Sequence, residues 1–196
     1  FSRLRETALV IVENVLDELE QSDFRPLAFE LGFGGKDGQL PAVTVTAGDT
    51  TLSVTGKVDR VDGWMKDGKL YLRVVDYKTG KPHNCFRDVA ALFSSVAAER
   101  SPAVLQTLLY AMMLSQSEGC DVQPALYYVR SMQDERFSPL LVEGDRPVLR
   151  FSDYRESLNG HLRRTLSELF DFSRPFEQCE DRSVCAYCDF REICRR

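Results

Sequence analysis

An Asp-Gly pair between two strand-like segments constrains the fold more than any other feature of this chain. Residues 56–66 and 69–78 are rich in β-branched and aromatic side chains, and Asp67-Gly68 lies between them. This arrangement predicts a two-residue hairpin turn, because both turn positions require positive φ. The turn fixes the register of the two strands, which can then be followed outward residue by residue.

That register brings two acids and a lysine together. It sets Asp59 directly opposite Asp76, and Lys57 opposite Lys78. Because side chains alternate along a strand, Asp59, Asp76 and Lys78 should emerge on one face of the sheet. Facing like charges destabilise a strand pair, whereas Mg²⁺ is often held by one or two carboxylates with phosphate and water. We expect the two carboxylates to lie about 3 to 6 Å apart, close enough to share one ion.

The lysine completes a pattern that predicts metal-assisted phosphodiester hydrolysis. An ammonium two residues beyond the second carboxylate can orient a water and offset charge on a phosphate. An isolated Asp-x-Lys is more often a solvated strand surface, so the hypothesis depends on the opposed Asp59 and the hydrophobic run before Asp76. Asp62 falls opposite Arg73 on the other face, where we expect a surface ion pair of little energetic value.

The remaining periodicities predict an α/β (α+β) protein, in which helices flank a central mixed sheet of an antiparallel meander and one parallel strand. The first helix should place its acidic residues, Glu18 among them, on a solvated face. A right-handed crossover should return the parallel strand, and Ser152 should cap the last helix. The expected helices are 3–21, 88–99, 101–114 and one from 152 onward, and the expected strands are 27–33, 43–46, 51–62, 70–78, 124–130, 137–142 and 147–151.

Composition indicates an ordinary globular domain of 43% hydrophobic and 28% charged residues. The net charge of −5 argues against a dedicated nucleic-acid binder, which is usually basic, although bound metal ions reverse the sign of an acidic site. No apolar run approaches the length of a membrane span. The chain begins at Phe1 inside a helical pattern, so we expect a piece of a longer protein, divided into an N-terminal helix (1–26), a core (27–172) and a cysteine-rich tail (173–196).

Gly-x-Val-Asp at 56–59, a hydrophobic strand and Asp-Tyr-Lys at 76–78 resemble the PD-(D/E)XK nuclease superfamily, and in particular the RecB-type nuclease domain of AddB and RecB in bacterial helicase-nucleases. The resemblance implies a restriction-endonuclease-like core. It also implies that Asp59 and Asp76 bind catalytic Mg²⁺ or Mn²⁺, that the backbone carbonyl of Tyr77 can join them, and that Lys78 is the catalytic lysine. Family members carry a Glu near a Phe-Gly, which makes Glu30 a further candidate ligand, with an ordinary strand charge as the alternative.

A second motif lies on the helix that follows. Gln106 and Tyr110 are four residues apart and share one helix edge. That spacing alone means little, but in the resembling family Leu-Gln-x-x-x-Tyr follows the Asp-x-Lys strand and faces the site or DNA. His83 is a weaker candidate for the same site, with a plain loop histidine as the alternative.

Four of the six cysteines, Cys179, Cys185, Cys188 and Cys194, fall in the last eighteen residues. This clustering suggests metal ligation in a reducing cytosol, and Cys-x2-Cys is typical of zinc or iron–sulfur sites. Cys-x2-Cys-x5-Cys after an Asp-x-Lys domain resembles the iron–sulfur (4Fe-4S) tail of AddB-type and Cas4-type nucleases. In those families the fourth ligand is a cysteine far upstream of the nuclease core. The fourth ligand here would be either a cysteine outside this chain or Cys179. A zinc site and a site without metal are the alternatives to the cluster.

The leading hypothesis is a Mg²⁺-dependent DNA exonuclease domain of an AddB/RecB-like helicase-nuclease acting in double-strand break repair and recombination. Its partners would be DNA and a helicase subunit or helicase-like domains, its location the cytoplasm, and no membrane would be involved. One alternative is a catalytically inactive nuclease fold that binds DNA or docks a subunit. Another is a zinc-binding nucleic-acid module unrelated to nucleases.

Overall fold

The computed structural model describes residues 2–175 and 177–195, so that Phe1, Phe176 and Arg196, which belong to the expected first helix region and tail, lie outside the described residues. The α-helices are α1 (Ser2–Gln21), α2 (Pro102–Glu118) and α3 (Arg155–Leu169). The strands are β1 (Arg25–Phe33), β2 (Val43–Ala47), β3 (Thr50–Val54), β4 (Gly56–Lys66), β5 (Lys69–Lys78), β6 (Cys85–Phe86), β7 (Val122–Tyr128), β8 (Val142–Glu143) and β9 (Arg146–Pro147). Short 3-10 helices span Ala90–Phe93, Ala97–Glu99, Val129–Ser131, Phe151–Asp153 and Arg182–Tyr187.

The central sheet is mixed, as the sequence predicts. Its four strands have the order β1-β4-β5-β7. The β1/β4 and β4/β5 pairs are antiparallel, and β7, which follows α2, runs parallel to β5. The expectation that residues 43–54 extend the meander is wrong, because β2 and β3 form a two-stranded sheet of their own and β1 lies beside β4. The apolar face of β2 packs instead against α2 and α3.

The hairpin between β4 and β5 has the predicted turn and register. Asp67 and Gly68 have φ values of 51° and 73°. Pairing runs from Lys66 opposite Lys69 to Arg60 opposite Val75. The register therefore holds up to the position directly before the two acids.

Helices cover both faces of the central sheet. On one face, Leu108 and Met112 of α2 are fully buried in a large core with Val61, Val74 and Leu126 of the sheet. On the other face a smaller core contains Val75, Ala125, Tyr127 and Val129, and residues Val10 and Ile11 of α1 pack against it. None of the described helices has an apolar stretch long enough to cross a membrane.

Three further expectations are corrected. The helix expected at 88–99 is two separate 3-10 turns, because the backbone is extended at Ser94 and Val96 between them. Ser152 caps no helix: its hydroxyl donates to Asp121 and α3 begins at Arg155. The hairpin expected at 137–151 is reduced to the two-residue strands β8 and β9, which form a small sheet with β6.

Candidate active site

The end of β5 and the start of α2 bring four of the predicted residues into one chain of contacts. Lys78 Nζ lies 2.7 Å from Asp76 Oδ2 and donates a 2.8 Å hydrogen bond to Gln106 Oε1. Gln106 Nε2 in turn donates to the Tyr110 hydroxyl at 2.8 Å. Because Gln106 and Tyr110 are one helical turn apart, α2 presents both toward the strand end that carries Asp76 and Lys78.

Asp59 joins this group through the main chain of the neighbouring strand. Its Oδ2 accepts a 2.8 Å hydrogen bond from the Tyr77 N–H. The β4/β5 ladder has just ended at Arg60 and Val75, so the Asp59 carboxylate supplies the acceptor that the next ladder position would otherwise provide. Asp59 and Asp76 thus stand on adjacent strands, one residue beyond the last main-chain pair.

The environment of Asp76 favours a cation. The residue is only 2% exposed, and burial raises the pKa of its carboxyl above the usual value. The ammonium of Lys78 opposes that rise in pKa, and the nearby charge of Asp59 adds to it. Within the described part of the chain, the partner of Oδ2 is the Lys78 ammonium, 2.7 Å away.

These properties fit a divalent metal. A buried carboxylate next to a second carboxylate is a donor set that Mg²⁺ prefers. Asp59 and Asp76 are the residues that could hold the ion, and the Tyr77 carbonyl remains a predicted additional ligand. Two carboxylates are enough, since Mg²⁺ usually keeps several waters and binds substrate phosphate directly.

Glu30 lies apart from the Asp76–Lys78 contact. It forms an exposed ion pair with Lys57, and both side chains are 61% exposed. Lys57, which the predicted register sets opposite Lys78, therefore has Glu30 as its ion-pair partner. This ion pair raises the pKa of Lys57. Its neighbours Phe29 and Leu31 pair with Arg60 and Val58, the residues on either side of Asp59, and the role of Glu30 as a metal ligand stays a prediction.

The cysteines of the tail are not brought together. Cys179 is exposed, and Cys185, Cys188 and Cys194 are half-buried free thiols. Within residues 2–175 and 177–195, no group of three or more His, Cys, Asp or Glu side chains is arranged to hold a metal ion. The arrangement does not fit a 4Fe-4S cluster or a structural zinc site as it stands, and no step of the chemistry below depends on one.

A group of buried charged side chains, which the sequence did not predict, lies on the opposite face of the sheet. The expected surface ion pair between Asp62 and Arg73 is buried, with 1% and 7% of these residues exposed. Arg73 Nε donates to Asp62 Oδ2 at 2.8 Å, and Arg60 Nε lies 3.0 Å from Asp62 Oδ1. Strand alternation predicts that all three side chains lie on one face. Their charge, however, favours exposure to solvent, so their burial was not expected.

Glu18 of α1 completes this group, and the expectation that it lies on a solvated face is wrong. Its carboxylate accepts from Arg60 Nη2 at 2.7 Å and from both Nη atoms of Arg73 at 3.2 Å, and it also accepts from the Tyr127 hydroxyl. Two arginines are thereby balanced by two acids. We call Glu18, Arg60, Asp62 and Arg73 the arginine–acid cluster.

The glycine that opens the Gly-x-Val-Asp motif also has a structural reason. A Cβ atom on Gly56 would lie 3.1 Å from Cε1 of the Tyr110 ring and 3.6 Å from the Met113 methyl group. Because any side chain there would press on Tyr110, the glycine lets α2 approach β4 closely. Gly56 therefore contributes to the site by leaving room for Tyr110, which the register of the hairpin did not predict.

A mixed sheet with two aspartates and a lysine at the ends of adjacent strands, covered by a helix that adds a glutamine and a tyrosine, defines a restriction-endonuclease-like fold. Comparison with known families agrees, because the model of the PD-(D/E)XK nuclease superfamily matches residues 2–195. The chain therefore belongs to the PD-(D/E)XK nuclease superfamily.

Curated relatives narrow the comparison. The chain is 31% identical over 120 residues to an ATP-dependent helicase/deoxyribonuclease subunit from Clostridium acetobutylicum, and the match covers 61% of this chain and 10% of that protein. For proteins of the same name, the identity is 39% over 79 residues in Pelotomaculum thermopropionicum (40% of this chain, 6% of that protein) and 28% over 129 residues in Desulforamulus reducens (65% and 11%). The chain thus spans about a tenth of the length of the relatives it matches.

Proposed function

We propose that this chain is a Mg²⁺-dependent DNA exonuclease domain of an AddB/RecB-like helicase-nuclease that processes double-strand breaks for repair and recombination. The observation that carries the proposal is the contact chain from Asp76 through Lys78 and Gln106 to Tyr110, with Asp59 on the adjacent strand. The names of the relatives, which are helicase/deoxyribonuclease subunits, support DNA as the substrate and helicase domains as partners. Because those relatives are bacterial, we propose a cytoplasmic location.

In this proposal each residue has a distinct task. A divalent ion, when bound, polarises the scissile phosphate and lowers the pKa of its bound water. Asp59 and Asp76 would hold that ion. Lys78 has three ammonium donors. Asp76 and Gln106 engage two of them among the described residues, which leaves a third for the attacking water or a phosphate oxygen.

Gln106 and Tyr110 act by holding Lys78. The Gln106 amide accepts from Lys78 through its oxygen and donates to Tyr110 through its nitrogen, so its orientation is fixed at both ends. This restricts the lysine to the side of the site where the phosphate must approach. A positioned cation at that point stabilises the charge that develops in the transition state.

A nuclease assay tests the proposal. Linear, end-labelled duplex DNA is incubated with Mg²⁺ or Mn²⁺ and with the wild-type protein, Asp76→Ala, or Asp153→Ala. Asp153 is an exposed acid paired with Arg150, and serves as the matched control. We expect cleavage by the wild type and by Asp153→Ala, and none by Asp76→Ala or after chelation of the metal. Equal cleavage by wild type and Asp76→Ala would reject the catalytic assignment, and parallel assays with closed circular DNA separate exonuclease from endonuclease action.

A second candidate is a non-catalytic nuclease fold that docks a subunit. It is favoured by one observation: Leu9, Val12 and Leu16 of α1 are each at least half exposed, at 50%, 54% and 55%. Exposed apolar side chains on one helix are typical of a protein contact. Wild-type protein that is folded but cleaves no DNA with either metal ion would favour this candidate.

A further inference from the structure

Tyr77 is held from both sides of the sheet. Its N–H donates to Asp59 Oδ2 at 2.8 Å, next to the candidate metal site. Its phenol oxygen accepts a 2.6 Å hydrogen bond from Arg60 Nη1 in the arginine–acid cluster. Tyr77 directly follows Asp76 and Arg60 directly follows Asp59. A single side-chain contact therefore joins the residues that come immediately after the two acids.

The position of this contact gives it a particular importance. Main-chain pairing of β4 with β5 ends at Arg60 and Val75. At the ends of the strands, where the acids lie, the hydrogen bonds from Arg60 to Tyr77 and from Tyr77 to Asp59 hold the two strands together. These contacts therefore join β4 to β5 at the level of the two acids, one residue beyond the end of their ladder.

Arg60 is itself rigidly placed. It is 1% exposed, lies against Asp62 and donates to Glu18 of α1. Burial alone would lower the pKa of Arg60, but Tyr77, Asp62 and Glu18 outweigh it and raise the pKa, so the guanidinium stays charged. Burial also raises the pKa of Tyr77 to about 12, which keeps the phenol protonated at neutral pH.

We propose that Arg60 and Tyr77 are positioning residues of the nuclease site: the hydrogen bond between them fixes the distance between Asp59 and Asp76, and Glu18 holds Arg60 in place from α1. This inference rests on the proposed function, because the distance matters through the ion that the two acids share. Removal of a group that hydrogen-bonds to a metal ligand and orients it typically lowers metal affinity or activity by roughly 10- to 100-fold.

Two matched variants test the proposal. Tyr77→Phe removes the phenol bound by Arg60. Tyr154→Phe is the control: it removes a half-buried phenol that donates to Glu143 Oε2 at 3.2 Å rather than to a residue of the arginine–acid cluster. For the wild type and each variant, Mn²⁺ affinity is measured by electron paramagnetic resonance, kcat and KM are measured on linear DNA, and Tm is measured by circular dichroism.

We expect Tyr77→Phe to bind Mn²⁺ roughly 10- to 100-fold more weakly and to lose kcat with an unchanged KM. Tyr154→Phe should keep Mn²⁺ affinity and kcat within about twofold of wild type, because its phenol contacts neither Arg60 nor Glu18. Arg60→Lys, which keeps the charge but lacks the branched guanidinium that reaches three partners, should repeat the Tyr77→Phe result.

Equal effects of Tyr77→Phe and Tyr154→Phe on Mn²⁺ affinity, or unchanged Mn²⁺ affinity in Tyr77→Phe, would overturn the positioning role. A wild-type protein that binds Mn²⁺ but does not cleave DNA would contradict the proposed function alone, because the comparison of Mn²⁺ affinities still decides the positioning role. A wild-type protein that neither binds Mn²⁺ nor cleaves would overturn both.

Discussion

Neutralising Asp62 should destabilise the protein severely, although Asp62 lies on the face of the sheet opposite to the candidate site. Asp62 is 1% exposed and accepts from Arg73 Nε at 2.8 Å, with Arg60 Nε 3.0 Å from its other oxygen. In Asp62→Asn the volume is preserved, so no cavity forms. The two guanidiniums are left with Glu18 as the only carboxylate of the arginine–acid cluster. Removing one partner of a buried ion pair costs about 3 to 5 kcal/mol.

For a domain of this size, each kcal/mol corresponds to about 2 to 4 °C in Tm, so the expected loss is about 6 to 20 °C. Thermal unfolding followed by circular dichroism measures it. The control is Asp153→Asn, which breaks a 3.3 Å ion pair with Arg150 between side chains that are 53% and 62% exposed. We expect that control to change stability by at most about 1 kcal/mol. If both variants melt within a degree or two of wild type, the cluster does not contribute to stability as argued.

Three further predictions concern the hairpin and the candidate site. Because burial raises the pKa of Asp76 in the fold above its unfolded value, stability is lost as pH rises through that interval. Asp76→Asn should therefore have a higher Tm than wild type at neutral pH, and the difference in Tm should vanish toward about pH 4. A difference in Tm that does not change with pH would contradict this. Gln106→Ala frees Lys78 from its 2.8 Å acceptor and should lower kcat more than it changes KM in steady-state kinetics. Gly68→Ala, at φ 73°, should cost about 1 to 2 kcal/mol in urea unfolding.

The sequence predicted those features that depend on local chemistry. The turn at Asp67-Gly68 follows from the need for positive φ, and the register of β4 and β5 follows from the turn. The contact of Lys78 with Gln106 required the family resemblance, because the residues are far apart in the chain and only the packing of α2 on the sheet brings them together.

Tertiary contacts explain what the sequence did not predict. Glu18 has the charge of a solvent-facing helix residue, and only the two arginines of the sheet make its half-buried position favourable. The pattern at 88–99 has helical periodicity, but the backbone is extended at Ser94 and at Val96, which separates two single turns. The spacing of Cys185 and Cys188 likewise predicts that two thiols can bind one metal. It does not determine whether the other two cysteines of the tail come close enough to complete the site.

Catalysis at the candidate site requires Asp59 and Asp76 to share one divalent ion beside Lys78. Anomalous diffraction from a Mn²⁺-soaked crystal locates such an ion directly. We predict one anomalous peak in contact with both carboxylates, with their oxygens about 3 to 6 Å apart, and loss of that peak in Asp76→Asn. A Mn²⁺ ion bound elsewhere while the space between the two carboxylates stays empty, or acids that point to opposite sides of the sheet, would contradict the account.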